Sequence, residues 1–309
     1  MMMVDFFNIA FRAASYFDLM LLFGLAGFSA YALQGGGGGS SEVHVMEKVL
    51  QLTAVFGALI SGVSIFVMAK VMTGDSDFYV LLPQVKILII ETDFGSAWMI
   101  RVLMLIFTCA ALFFLRKSPT QRLATTVVCS GFALASLAWS GHGAMDEGSR
   151  GFWHLSMDIL HLLSAASWLG AIAAFGLLLK FQPLQATDRV LILLRALDVF
   201  KYAGVFIVLT ISVTGVFNFY FIRGLSIDSL RGDAYGILLF LKLILFGVML
   251  GIAALNRWCL SPLLKSGLEC GDFSEAVLAL RKSMAVDFFM ALLVLGLVAL
   301  LGTLNPDAV

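Results

Sequence analysis

The sequence predicts an all-α membrane protein, a polytopic bundle of about eight transmembrane helices. Two observations lead to this fold class. Of 309 residues, 61% are hydrophobic and 13% are charged, and the mean hydropathy of +0.98 lies far above that of a soluble domain. Apolar runs of about 20 residues, the length that crosses roughly 30 Å of hydrocarbon, also recur along the chain. A single transmembrane domain over residues 1–309 accounts for both.

Eight apolar runs are long enough to span a bilayer. The first lacks the basic segment and the small-residue cleavage site of a signal peptide, so we expect it to remain as the first helix. An even number of spans places both termini on the same side of the membrane. The approximate limits of the spans are 9–33, 49–72, 97–115, 123–140, 153–179, 200–222, 234–257 and 284–303.

Basic residues are concentrated in alternate loops, those between spans 3 and 4, 5 and 6, and 7 and 8. The loops on the opposite side are poorer in Lys and Arg. The positive-inside rule makes the basic loops cytoplasmic and predicts that both termini are periplasmic. The basic residues are Arg116, Lys117 and Arg122, then Lys180, Arg189, Arg195 and Lys201, and finally Arg257, Lys265, Arg281 and Lys282.

The connections between spans give less information. Residues 34–41 are rich in Gly and Ser and predict a flexible linker. Residues 78–90 are apolar but too short to span, and Pro83 and Lys86 interrupt them, so we expect a re-entrant or interfacial segment. The four cysteines have no C-x-x-C spacing and are expected to be free thiols. Twenty basic and twenty acidic residues cancel, which argues against a nucleic-acid partner.

Span 5 carries most of the polar chemistry. Its stretch WHLSMDILHLLSAASWLG, residues 153–170, places His154, Asp158 and His161 in an otherwise apolar helix. At about 100° per residue these side chains fall within about 60° of one another, with Trp168 two turns farther along the same face. Two imidazoles and a carboxylate in hydrocarbon are costly unless they pair or face a cavity. We therefore predict that this face is the functional site.

A third histidine is predicted to lie beside this face at the periplasmic surface. His142 ends span 4 and His154 opens span 5, with Met145 between them. Imidazole and thioether ligands suit copper, and Cu(I) in particular, better than magnesium or calcium. His161 lies about 10 Å deeper along span 5, so the three histidines predict a descending ion path. The competing interpretation is that each histidine only packs or caps a helix end.

Charged side chains within other spans are expected to accompany this site. Asp18, Asp158 and Lys242 lie at comparable depths, and we expect them to face the bundle interior, with Lys242 paired to Asp18 or Asp158. A purely structural ion pair is an equal alternative. Arg101, near an outer helix end, is expected to extend its charge toward the membrane surface.

Span 6 carries a polar stripe in which Thr210, Thr214 and Asn218 repeat every four residues. Such a stripe usually forms an interhelical hydrogen-bond seam and less often lines a pathway. The sequence has no nucleophile elbow, P-loop, H-E-x-x-H motif or pair of catalytic carboxylates in an outer loop. We therefore do not expect an enzyme.

Two other functions remain open from the residues alone. The first is a b-type haem protein that transfers electrons, because histidines from two helices can ligate a haem axially. His154 and His161 lie on the same helix face, however, and cannot sandwich one haem. The second is a copper-binding sensor or assembly protein that does not transport.

Several motifs together resemble the copper resistance protein D family of bacterial inner-membrane proteins. The resemblance is strongest from span 4 onward. Span 8 departs from the family pattern, because Arg281-Lys282 is followed by Asp287 where a glutamate is usual, and the glycine run after span 1 is also not typical. The similar segments are Phe94-Gly-x-Ala-Trp98 with Arg101, Ser140-Gly-His-Gly, His154-x3-Asp-x2-His161-Leu-Leu-Ser-Ala-Ala-x-Trp-Leu-Gly170, Thr214-Gly215 with Asn218, Tyr235-Gly-Ile-Leu-Leu-x-Leu-Lys242, Asn256-Arg257 and Leu300-Leu-Gly-Thr-Leu-Asn-Pro306.

The resemblance implies a copper permease of the inner membrane. The family is thought to move copper from the periplasm toward the cytoplasm, beside a small periplasmic copper-binding partner, copper resistance protein C. The matching positions imply that His142, His154 and His161 handle the metal, with Asp158 embedded in the motif.

Overall fold

The computed structural model describes residues 2–33, 40–141, 145–180, 187–224 and 233–304, and these segments are helical almost throughout. Eight of the helical segments are long and apolar enough to cross a membrane, which confirms the predicted all-α fold with eight spans. The helices are α1 (Met2–Phe28), α2 (Ser40–Thr73), α3 (Phe78–Glu91), α4 (Asp93–Phe114), α5 (Pro119–Ala135), α6 (Gly148–Lys180), α7 (Thr187–Arg223), α8 (Ala234–Leu255), α9 (Ser261–Cys270) and α10 (Ser274–Leu301).

Most helices continue beyond the apolar runs that revealed them. Helix α6 begins five residues before the predicted span 5, and α10 begins ten residues before the predicted span 8. Helix α8 continues through a π-helical turn, Asn256–Leu260, into α9. Hydropathy detects only the part of a helix that suits hydrocarbon, whereas the backbone hydrogen bonds of a helix can extend into polar surroundings.

The short apolar segment between spans 2 and 3 forms α3. The carboxylate of Asp77 caps it by accepting a hydrogen bond from the Tyr79 amide at 3.0 Å. Its buried residues Leu81, Val85 and Leu88 have the spacing of a single helix face, and they pack with residues of α2 and α4. At 14 residues, the helix is too short to span.

Helices α1 and α6 form the centre of the bundle. Helix α1 packs against α2, α5, α6 and α10, and α6 packs against α1, α7 and α10. Where α1 meets α6, their backbones approach at Gly24 and Gly170: a Cβ on either glycine would overlap the backbone of the other helix. Small residues of this kind allow close packing of membrane helices.

Helices α7 and α8 lie at the periphery and hardly touch each other in the described part of the chain. Helix α7 rests on α6, whereas α8 rests on α10. At one end they are joined by an ion pair between Arg223 and Asp233. Asp233 also caps α8 through the Gly236 amide, and this hydrogen bond together with Arg223 holds the pKa of the Asp233 carboxyl below its usual range. The two helices therefore flank a space that α6 and α10 close from behind.

Candidate functional site

Three side chains of α6 meet three side chains of α7 in an antiparallel series. Along the series the residue numbers rise from 154 to 161 on α6 and fall from 221 to 214 on α7, as expected for two antiparallel helices. The first contact is a ring stack and the others are hydrogen bonds. The contacts are His154 on Phe221 with ring centroids 5.1 Å apart, Asn218 Nδ2 to Asp158 Oδ1 at 3.3 Å, and His161 Nδ1 to Thr214 Oγ1 at 3.0 Å.

We call this series the α6–α7 seam. It contains all three polar residues that the sequence placed on one face of span 5. It also contains two of the three residues of the span-6 stripe, Thr214 and Asn218, as the interhelical interpretation predicted. The remaining residue of the stripe, Thr210, instead donates to the Phe206 carbonyl of its own helix at 2.8 Å.

His154 forms the end of the seam nearest the start of α6 and is held by Asp146. Its Nδ1 lies 2.8 Å from Asp146 Oδ2, and the residue is only 2% exposed. Arg150 contacts the same carboxylate at 3.1 Å and donates to the Phe221 carbonyl at 2.9 Å. A carboxylate accepts and does not donate, so Nδ1 carries the proton and a neutral His154 keeps the lone pair on Nε2.

His161 forms the deeper end, and its tautomer follows from the same reasoning. The single hydroxyl hydrogen of Thr214 is directed to the Thr210 and Ile211 carbonyls, so the hydroxyl oxygen accepts from His161 Nδ1–H. The lone pair of the neutral ring is therefore on Nε2. The ring packs against Gly215, where a Cβ would lie 3.5 Å from Cε1, at ordinary van der Waals distance.

Asp158 lies between the two histidines. Besides Asn218, it approaches Gly141, where a Cβ would lie 3.8 Å from Asp158 Oδ2 and 3.9 Å from the Tyr16 hydroxyl. Asn218 Oδ1 is buried without a hydrogen-bond partner among the described residues. The centre of the seam therefore offers a carboxylate and an amide oxygen with capacity to accept. The predicted ligand His142 follows Gly141 directly but lies outside the described residues.

The expected pairing of intramembrane charges is only partly what the structure contains. Lys242 lies within electrostatic range of Asp158 and His161, although no described carboxylate comes within 4.0 Å of it. Asp18 does not join this group. It is 3% exposed and packs against Gly57 of α2, with Oδ2 unpartnered in the described structure. Similar depth on two helices does not ensure that their polar faces meet.

The expectation that Arg101 extends toward the membrane surface was wrong. The residue is only 3% exposed, and its Nε donates to the Ser136 hydroxyl at 2.9 Å. Ser136 begins the 3-10 turn Ser136–Ser140 that follows α5. The guanidinium therefore binds the end of α5 to α4 and does not reach solvent.

The protein surface near His154 carries a methionine. Met145 is 54% exposed and precedes Asp146 in the chain. Within the described residues, no three side chains of His, Cys, Asp or Glu converge on one point, and the four cysteines are free thiols. This arrangement is unlike a closed structural metal site.

Beneath the seam lies a cavity of about 380 Å³ between α6, α7, α8 and α10. His161 and Lys242 line its walls, together with apolar side chains and the two methionines Met20 and Met249. Trp168, which the sequence placed on the face of His161, also lines the cavity and packs edge-on against Phe246 with centroids 5.7 Å apart.

Two carboxylates that sequence reasoning did not assign hold residues of this region in place. Asp146 binds His154, and the buried Asp287 of α10 lies within interaction range of the Trp168 indole. The first contact joins His154 to a residue eight positions earlier, just before α6 begins, so proximity in sequence could have revealed it. The second depends on how α10 packs against α6, for which the sequence gives no signal.

The fold and its buried polar seam define a multi-pass helical membrane protein. Two family models match the chain: copper resistance protein D-like, N-terminal domain, over residues 3–152, and copper resistance protein D over residues 194–301. Residues 153–193, which include the α6 half of the seam, lie between the two matches. No solved structure shows significant similarity to the chain.

Curated relatives extend the similarity over the full length. Copper resistance protein D of Pseudomonas syringae pv. tomato is 43% identical over 305 residues, covering 99% of this chain and 98% of that protein. Inner membrane protein YebZ of Escherichia coli (strain K12) is 28% identical over 98% of this chain and 100% of the relative. Copper transport protein CutJ of Bacillus subtilis (strain 168) is 33% identical, covering 54% of this chain and 30% of the relative.

The chain belongs to the copper resistance protein D family. The membrane-spanning helices, together with relatives named for copper resistance and for the inner membrane, make it a multi-pass inner-membrane protein that handles copper.

Proposed function

We propose that the protein transports copper across the inner membrane, from the periplasm toward the cytoplasm, along the α6–α7 seam. One observation carries the proposal: His154 and His161 each engage Nδ1 with an acceptor, which leaves the lone pair of the neutral ring on Nε2. Histidines that bind metals generally donate their other ring N–H to a carboxylate or another oxygen. Both imidazoles are thus prepared to bind a metal, one above the other on the same helix.

Copper would first be captured at the outer end of α6. Met145 is exposed there and offers a thioether, and His154 lies directly behind the Asp146 carboxylate that orients it. His142, one residue beyond Gly141, is our further candidate ligand at this end. With both termini in the periplasm, as the distribution of basic residues favours, this end faces the periplasm.

The second step would pass the ion from His154 to His161. Seven residues of helix separate them by about 10 Å, so one ion cannot bind both and the histidines act in succession. Asp158 lies between them, and its carboxylate lowers the electrostatic cost of a cation that crosses this interval. Imidazole and thioether donors favour Cu(I) as the transported form.

A periplasmic protein of the copper resistance C type would deliver the ion to the outer end of the seam. In this proposal the protein is a transporter and not an enzyme. The polar residues of the seam then bind and release an ion, and no bond in a substrate is broken.

Copper accumulation in cells tests this function directly. We expect His154→Ala and His161→Ala each to lower copper-dependent accumulation at least tenfold, since each removes one imidazole from a two-step path. His44→Ala is the matched control, because His44 is the only other described histidine and its side chain is 67% exposed. Membrane abundance of each variant is measured in parallel.

Three results would contradict the proposal. Normal accumulation in both variants would remove the histidines from any path. Copper binding without uptake by the wild-type protein in vesicles would favour a sensor or assembly protein. A Soret band in the purified protein would favour haem-based electron transfer.

A further inference from the structure

The cavity beneath His161 brings two thioethers to the same space as an imidazole. Met20 of α1 and Met249 of α8 are 6% and 7% exposed, and both line the cavity with His161. They come from helices that do not belong to the α6–α7 seam. We infer that Met20 and Met249 bind Cu(I) below His161 and continue the path; this inference rests on the proposed function.

The packing of α1 against α6 determines the depth of Met20. Gly24 meets the backbone of Ala166 and Gly170, and Met20 lies one turn before Gly24. At 1.5 Å per residue, Met20 is then roughly one turn deeper than His161. A Cu(I) ion released by His161 would therefore meet this sulfur next.

Met249 extends the series farther into the membrane. It follows Phe246 by three residues, and Phe246 packs against Trp168, which lies two turns below His161. Met249 is accordingly about 10 Å or more below His161. The three donors form a descending series and not one coordination sphere, which suits an ion that moves on.

The lining of the cavity favours a soft monovalent ion. Thioether and imidazole donors suit Cu(I), whereas divalent hard ions require oxygen ligands. No carboxylate or cysteine is among the lining residues, and the one charged group is the Lys242 ammonium. Because repulsion grows with the charge of the ion, this ammonium opposes a dication about twice as strongly as it opposes Cu(I).

The cavity is also larger than a bound ion requires. Its volume of about 380 Å³ leaves the unbranched methionine side chains room to change rotamer. Methionine is flexible and polarizable, so each sulfur can turn toward an ion and release it again. A rigid site of high affinity would instead retain the ion.

The test replaces the sulfurs while keeping the apolar volume. Met20→Leu/Met249→Leu is compared with wild type and with Met284→Leu, a control at a methionine that is 6% exposed but does not line the cavity. Purified proteins are loaded with Cu(I) under reducing conditions, and copper is measured by competition with a chromogenic chelator and by X-ray absorption. Uptake into vesicles follows.

We expect the double variant to bind Cu(I) at least tenfold more weakly at the positions below His161, to lose part of the Cu–S signal and to take up copper at least tenfold more slowly. The control should match wild type. An unchanged Cu–S signal with unchanged uptake would overturn the inference, and if His154→Ala still abolishes uptake, the proposed function stands without it. Equal retention of Zn(II) and Cu(I) by the wild-type cavity would also overturn it.

Discussion

Helix α6 has two very different neighbours. On the side of α1 the backbones touch at Gly24 and Gly170, with no space for a side chain between them. On the side of α7 the polar contacts are an aromatic stack and three hydrogen bonds made by side chains, including the one from Arg150 to the Phe221 carbonyl. The same helix therefore joins a rigid apolar contact to an adaptable polar one.

The α1–α6 contact is therefore the rigid framework of the protein, and the α6–α7 seam is the candidate path of the ion. A backbone contact cannot exchange partners, since nothing else fits there. A side-chain hydrogen bond between membrane helices contributes only about 0.6 kcal/mol on average, so an ion that provides ligand bonds can replace it. The α1 side fixes the depth of the histidines, and the α7 side is free to respond to an ion.

The largest effect should come from crowding the framework. Gly170→Ala places a Cβ into the backbone of Gly24, and the helices must separate along their whole contact. Overpacking typically costs about 1–3 kcal/mol, and we expect the upper end or more here because backbone atoms cannot rotate away. Thermal unfolding in detergent and membrane abundance measure the effect.

Gly176→Ala is the matched control, because it lies on the same helix and a Cβ there meets no other atom within 4 Å. It should leave stability unchanged or raise it, since Ala favours helix over Gly by about 1 kcal/mol. If both variants are equally stable, the contact between α1 and α6 is not the rigid framework that we describe.

The sequence predicted the polar side of α6 better than the apolar side. His154, Asp158 and His161 share a face through helical periodicity alone, and the four-residue repeat of Thr214 and Asn218 marks the facing stripe. When two neighbouring helices each carry a polar stripe, the two stripes determine which faces pack together. The same periodicity identifies no contact for Gly24, because the residues around it are apolar on every face of α1 and no pattern distinguishes the face that packs against α6.

The predictions of side-chain contacts were wrong where a contact depends on how a helix is rotated about its axis and on which distant segments pack against it. Asp18 and Lys242 lie at similar depths, yet Asp18 faces α2. Arg101 was expected at the surface because it is near a helix end, but a serine at the end of α5 accepts its hydrogen bond. The depth of a side chain in the membrane follows from counting residues along its helix. The direction that it faces around the helix axis is determined by how the helices pack.

A charge removed from the polar side should reduce function while leaving the framework intact. Asp158→Asn keeps the size of the side chain and loses the carboxylate that would stabilise a cation between the histidines. We expect the copper concentration for half-maximal uptake to rise about tenfold, which corresponds to about 1.4 kcal/mol. The measurement is initial uptake rate against copper concentration in vesicles.

Asp18→Asn is the control for this charge. Asp18 is also a buried carboxylate within a span, but it faces Gly57 and not the seam. It should therefore leave the copper dependence of uptake unchanged. An equal rise in both variants would mean that any buried charge affects transport and that the seam has no special role.

The smallest effect should come from a single hydrogen bond within the seam. Thr214→Val keeps the shape of the side chain but removes the oxygen that accepts from His161 Nδ1–H. We expect a loss of stability of about 1 kcal/mol or less, with a severalfold decrease in uptake because the imidazole is no longer held with its lone pair on Nε2. The control is Thr210→Val, because the Thr210 hydroxyl donates only within α7, and it should change neither stability nor uptake.

If Thr214→Val lowers stability as much as Gly170→Ala does, the polar side of α6 is as rigid as the apolar side. An ion could not then exchange places with this hydrogen bond.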